Sequence, residues 1–168
     1  MAFHEIDAKS IKDNPIKMIA DEWMLVSVGD ENRHNMMTAS WGFVGEMWGK
    51  DCAIAAVRPT RYTYEFMKER DTFALCFMGE DREVHKVCGS KSGRDIDKVA
   101  ATGLTPVYDC GTMYFEEARL VLILKKMYQD NLRESGFCDR EALKKWYNGD
   151  LHTMFYGEIL KVLKKDAQ

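Results

Sequence analysis

Apolar residues cluster or alternate in six stretches of the chain, and each stretch predicts a strand: Trp23 to Val28, Met36 to Val44, Ala53 to Val57, Thr72 to Met78, Tyr114 to Tyr128 and His152 to Leu163. Shorter stretches with helical spacing run from Thr60 to Glu69, Arg82 to Cys88, Asp95 to Ala101 and Arg140 to Tyr147. Six strands separated by short helices favour a mainly β, α+β architecture, a closed barrel with helices packed outside. The charged run Lys161 to Lys165 reads as a solvated strand end. No repeat, low-complexity tract or Gly/Ser/Pro-rich linker interrupts the pattern, so residues 1–168 are expected to form one domain.

Length and charge narrow the setting. A domain of 168 residues buries about 70% of its unfolded surface, enough for a sizeable core. The net charge of −3 leaves no basic surplus to track phosphates, so nucleic acid is not an expected partner. The five cysteines show no CxxC pair and no zinc-like spacing, which fits reduced thiols in the cytoplasm. Glu5 and Asp7 stand where a secretory leader carries basic residues, and no stretch approaches the ~20 apolar residues of a membrane span. His85 and Cys88 are three apart on a predicted helix, but two ligands do not make a metal site, and no metal is expected.

Within the second strand, the segment NMMTASWGF (residues 35–43) is unusual. If it is regular, Met37, Ala39 and Trp41 face one way, while Thr38, Ser40 and Gly42 give the other a small, hydroxylated surface. A flat ligand can lie close to main chain there, although small residues also suit the bend of a barrel wall.

Two further segments offer anion chemistry. In VRPTRYTYEFM (57–67), Pro59 stops a strand and Thr60 is placed to cap a helix flanked by Arg58 and Arg61, with Thr63 nearby. The same arginines could instead pair with Glu65 and Glu69. In CGSKSGRDIDKVAATGLTP (88–106), Ser90, Ser92 and Gly93 form a flexible loop, Arg94 supplies a guanidinium, and Asp95 is placed to cap a helix carrying Lys98. That segment also reads as a plain loop and helix start. Arginine, hydroxyls and a helix start occur twice, and with the bare strand they suggest one ligand with a planar head and a phosphate tail.

The order Asn35-Met36-Met37-Thr38-Ala39-Ser40-Trp41, Arg58-Pro59-Thr60-Arg61-Tyr62-Thr63, Cys88 to Asp95 with Asp97-Lys98, then His152-Thr153 and Gly157-Glu158-Ile159 resembles the flavin reductase-like proteins, in particular their flavoredoxin branch. The resemblance spans about Trp23 to Val162. It implies an FMN-binding split β-barrel that forms a homodimer, with flavin near the subunit interface. It places Asn35, Met37, Thr38, Ala39 and Ser40 along the isoalloxazine and ribityl chain. Arg58, Arg61, Tyr62, Thr63, Ser92, Gly93, Arg94 and Lys98 then surround the phosphate end.

The sequence departs from that pattern in two places. Trp48 occupies a turn, in GEMWGKD, where many relatives carry proline. Leu151 separates Asp150 from His152, whereas several reductases place the pair side by side. His152 is thus a candidate nicotinamide contact by resemblance and a structural hydrogen-bonding residue by its place at a strand start. The expected activity is NAD(P)H-dependent flavin reduction, with NADH or NADPH as donor. The alternative is an electron carrier that keeps FMN and exchanges electrons with a redox protein. No GxGxxG fingerprint is present, and the resemblance does not require one.

Overall fold

The computed structural model describes residues 2–166. Its strands are β1 (Phe3–Ile6), β2 (Met24–Gly29), β3 (His34–Ala39), β4 (Gly42–Met47), β5 (Lys50–Val57), β6 (Thr72–Phe77), β7 (Pro106–Asp109), β8 (Thr112–Phe115), β9 (Leu120–Asn131) and β10 (Thr153–Lys165). The helices are α1 (Pro15–Lys17), continued by a π-helical turn over Met18–Glu22, then α2 (Tyr62–Glu69), α3 (Arg82–Ser90), α4 (Lys98–Thr102) and α5 (Arg140–Trp146). Among the described residues, no helix is long and apolar enough to cross a membrane.

The main sheet runs in the order β3-β2-β6-β9-β10-β5-β4, with β1 added to the far end of β10 and β7-β8 forming a separate ribbon. It is a split β-barrel with short helices, the mainly β class that the residue pattern predicts. The period of two explains why its strands look apolar on both faces. Val26, Met37, Ala55, Leu75, Leu122 and Phe155 point into one core. Leu25, Met36, Ala74, Cys76 and Val121 join a second core, covered by Val84 and Cys88 of α3 and by Met113 and Phe115 of β8.

Several boundaries differ from the sequence expectation. The strand expected from Met36 to Val44 is two strands, because β3 pairs with β2 while β4 pairs with β5 at the opposite end of the sheet. The chain changes sheet ends at Ser40–Trp41, where the Trp41 carbonyl accepts from the Ala56 amide at 3.2 Å. A Cβ on Gly42 would lie 2.2 Å from the Ile54 carbonyl oxygen, so only glycine fits the return. The expected Tyr114 to Tyr128 strand is likewise divided into β8 and β9. Lys161 to Lys165 is no solvated end: it lies in β10, with Val162 to Lys164 paired on both sides and Lys161 Nζ donating to Asp109 at 2.8 Å. Trp48 does sit in a turn, at φ 58, beside Gly49 at φ 73 in the β4–β5 hairpin.

Candidate functional site: a cleft at the sheet switch

The switch at Ser40–Trp41 opens a cleft of about 320 Å³. The end of β3 supplies one wall through Met37, Thr38, Ala39 and Ser40; Arg58, Arg61, Trp146 and His152 line the remainder. Arg61 also lines a smaller pocket of about 150 Å³, shared with Asn35, Tyr62, Thr63, Ser92, Gly93 and Lys98. Every residue expected at the site therefore lines one of two spaces joined at Arg61, with the exception of Arg94.

Arg94 lines neither space. Its guanidinium pairs with Glu65 and stacks over the Tyr62 ring, with Cζ 4.7 Å from the centroid, on the outside of the pocket. Glu65 lies one helical turn into α2 and claims that charge first. The alternation that gave β3 a hydroxylated face also ends early. Thr38 turns to α3, where its hydroxyl donates to the His85 carbonyl at 3.0 Å, while Met37 and Ala39 enter the barrel core. Ser40, at the break itself, lines the cleft, and its hydroxyl has no protein partner among the described residues.

The small pocket brings two cations together. Arg61 donates to the carbonyls of Gly89 (2.9 Å) and Cys88 (3.2 Å), and Lys98 donates to those of Met36 (2.8 Å) and Cys88 (3.0 Å). Among the described residues neither cation pairs with a carboxylate, although Lys98 is only 4% exposed. Among the described residues, the ion pairs that α2 makes are Arg33 with Glu69 and Glu65 and Arg94 with Glu65, so the alternative of Arg58 and Arg61 pairing with Glu65 and Glu69 is not realised. Burial pushes Lys98 down to about 8, with Arg61 adding to the effect, and pushes the Cys88 thiol up to about 11. Arg61 is lowered by the same desolvation and by Arg58. A buried lysine and a half-buried arginine without counter-ions among the described residues carry a desolvation cost that an anionic ligand would offset.

Glycine at position 93 completes the pocket wall. A Cβ there would stand 2.2 Å from Asn35 Oδ1, whose amide nitrogen donates to Thr63 Oγ1 at 2.9 Å. The expected caps move by one or two residues. Arg61, not Thr60, precedes α2 and offers no side-chain cap, while Asp97, not Asp95, caps α4 by accepting from the Ala100 amide. Asp95 is instead drawn into a turn by its amide bond to the Ser92 carbonyl at 3.1 Å.

At the other end of the cleft, Arg58 donates to Asp150 Oδ1 (2.7 Å) and to the Trp146 carbonyl (2.9 Å). Asp150 therefore serves Arg58, and His152 finds Tyr147, with 2.7 Å between the phenol oxygen and Nδ1. Burial, then the charge of Arg58, pushes His152 down to about 4. Trp41 closes the wall, 4.9 Å from the His152 ring and 5.2 Å from the Trp146 indole, centroid to centroid. Trp41, Trp146 and Ala56 were not among the expected site residues. The aromatic pair Trp146-Tyr147, four residues ahead of Asp150-Leu151-His152, was the signal for the second of them.

The flavin reductase like domain family model matches residues 17–168. The chain belongs to that family. Its fold is shared by flavoredoxin of Desulfovibrio vulgaris (Miyazaki F), at TM-score 0.68 and 23% identity over 97% of this chain and 78% of that one. An FMN-binding protein from Thermus thermophilus matches at TM-score 0.67 and 18% identity, covering 96% and 80%. A Streptomyces globisporus NADH:FAD oxidoreductase matches at 0.64 and 15%, covering 86% and 75%. Among curated proteins, none matches the chain. Family membership supports a flavin-related redox function, and solved relatives of this low identity support the fold.

Proposed function

We propose that this family member binds FMN in the cleft and acts as an NAD(P)H-dependent flavin reductase. One observation carries the reading: buried Lys98 and half-buried Arg61, without carboxylate partners among the described residues, line the small pocket that shares Arg61 with a cleft walled by aromatic rings and the end of β3. A phosphate suits the first end and a planar ring system the second. When bound, FMN supplies the two-electron chemistry, accepting hydride from a reduced nicotinamide. The protein residues bind and orient: Arg61, Lys98, Asn35, Tyr62, Thr63, Ser92 and Gly93 hold the phosphate end, while Met37, Thr38, Ala39, Ser40 and Arg58 flank the remainder. Arg94 contributes from outside, by holding Tyr62.

A homodimer belongs to the same proposal. Phe43 of β4, 63% exposed, and Ile16, 75% exposed, line an apolar groove of about 710 Å³ that shares Ser40, Trp41 and Ala56 with the cleft, and Trp48 at the hairpin tip is also exposed. A second copy of the chain is the occupant that would remove this apolar surface from water.

The carrier alternative differs in its electron donor. Anaerobic mixing of the flavin-loaded protein with NADH and with NADPH, following loss of the visible flavin band, decides between them. Rapid bleaching by either nucleotide is expected. Bleaching by neither, together with reduction by a low-potential redox protein, would replace the reductase reading with the carrier.

A further inference from the structure

His152 has two ring nitrogens in different surroundings. Nδ1 is 2.7 Å from the Tyr147 hydroxyl. Nε2 has no partner among the described residues, yet the one unpaired side-chain polar atom sealed from solvent is Nε2 of His85. Nε2 of His152 therefore keeps contact with open space, and the open space that His152 lines is the cleft. A short contact between a phenol and an imidazole nitrogen is most favourable as O–H···N, because the phenol is the stronger acid of the two neutral groups. Such a contact makes Nδ1 the acceptor and leaves the ring proton on Nε2.

We propose that Tyr147 is a positioning residue that fixes His152 in its Nε2–H tautomer, so that the cleft wall presents a constant N–H donor to a carbonyl or ring-nitrogen acceptor of the bound ligand. The naming of FMN as that ligand rests on the proposed function; the tautomer assignment does not. Tyr147 is itself held in place. It follows α5, whose terminal Trp146 carbonyl accepts from Arg58, and the Arg58 guanidinium lies 5.1 Å from the Tyr147 ring centroid. Asp150 secures the same guanidinium from the other side of the loop.

The consequence is a division of labour different from acid–base catalysis. Burial and the neighbouring Arg58 keep the imidazole neutral down to about pH 4, against the weaker opposing pull of Asp150. Through the neutral range His152 then neither takes up nor releases a proton: it donates a hydrogen bond. A ligand with an acceptor at this wall is favoured, and one presenting a donor there meets N–H against N–H.

The test reads the ring directly. Long-range proton–nitrogen correlation spectra of the ligand-free protein, with His152 assigned through His152→Gln, are expected to show protonated Nε2 and bare Nδ1 between pH 6 and 8. In Tyr147→Phe the two nitrogen shifts are expected to move toward each other as both tautomers become populated. For the ligand side, His152→Gln, which keeps an N–H at the same reach, should bind FMN within about threefold of the parent. His152→Leu should bind about three- to tenfold more weakly, the range of one neutral hydrogen bond. A parent ring protonated at Nδ1, a Tyr147→Phe ring still purely Nε2–H, or equal losses in the Gln and Leu variants would each overturn the proposal. Failure of every form, parent included, to bind FMN would instead overturn the flavin reading, while the spectra still decide the tautomer.

Discussion

Arg61→Ala is the sharpest perturbation of the phosphate end. The side chain joins the two spaces, offers five N–H donors, and spends two of its nitrogens on the carbonyls of Gly89 and Cys88, leaving donors of the fork for a ligand. A hydrogen bond to a charged group contributes about 1.5–3 kcal/mol, so the loss predicts roughly 10- to 150-fold weaker FMN binding. Arg94→Ala is the internal control. Its guanidinium is half exposed and engaged with Glu65, a pairing worth about 0–1 kcal/mol, so the effect on FMN should stay below about fivefold. Flavin fluorescence quenching during titration of the apo forms gives the affinities, and thermal melts report whether loss of the two carbonyl contacts loosens the fold. Riboflavin, lacking the phosphate, should be affected far less by Arg61→Ala than FMN is. Equal losses for FMN and riboflavin, or a larger loss in Arg94→Ala than in Arg61→Ala, would refute the assignment of the small pocket to phosphate.

The strand switch separates two leucine substitutions: Ser40→Leu should fold normally but purify with a lower ratio of flavin to protein absorbance, whereas Ala39→Leu enters the core and should cost about 1–3 kcal/mol of stability by chemical denaturation. Two equally stable, fully yellow variants would contradict that division. Lys98 gives a pH signature. Its pKa in the folded protein is about 8 against an ordinary 10.5, so the unfolded chain binds more protons between these values and the stability of the apo protein should rise with pH across that window. A phosphate favours the charged form, so FMN affinity should fall as pH rises above about 8, and Lys98→Met should flatten both trends in parallel titrations and melts. For assembly, sedimentation velocity is expected to show a species of about 39 kDa, twice the 19.4 kDa chain, shifted toward monomer by Phe43→Glu; a flavin-saturated monomer of the parent at micromolar concentration would sink the dimer proposal.

What was legible in the sequence follows a physical boundary. Local period and composition mark β2, β5, β6 and β10 well, because their runs are largely buried by the sheet itself. Phe3–Ile6 is too short to announce itself and becomes a strand only by pairing with the end of β10. Pro106–Asp109 begins with a residue that argues against a strand, yet survives as one side of a two-stranded ribbon. The break at Ser40–Trp41 is invisible to periodicity, since apolar residues continue through it and only the change of pairing partner divides β3 from β4. In the site, chemical type was readable but direction was not. Nothing local distinguishes Arg61, turned inward onto carbonyls, from Arg94, turned outward onto Glu65. Lys98 looks like any helical lysine until α3 and β3 bury it.

Trp146 reaches the cleft, and Tyr147 reaches His152, on an excursion between β9 and β10 whose two ends are tied together. The Leu132 amide donates to the His152 carbonyl at 2.9 Å, and the neighbouring pair Asn131 and Thr153 is already in sheet register. The excursion leaves and rejoins the barrel at one point, and α5 itself buries no residue. Its length and sequence can therefore change without asking the barrel to refold, in the way an interchangeable tool changes on a fixed handle. Grafting a different excursion between Asn131 and Thr153 should exchange one aromatic wall of the cleft while leaving Arg61, Lys98 and the phosphate end untouched. That is a direct route by which one chassis acquires different ligand preferences.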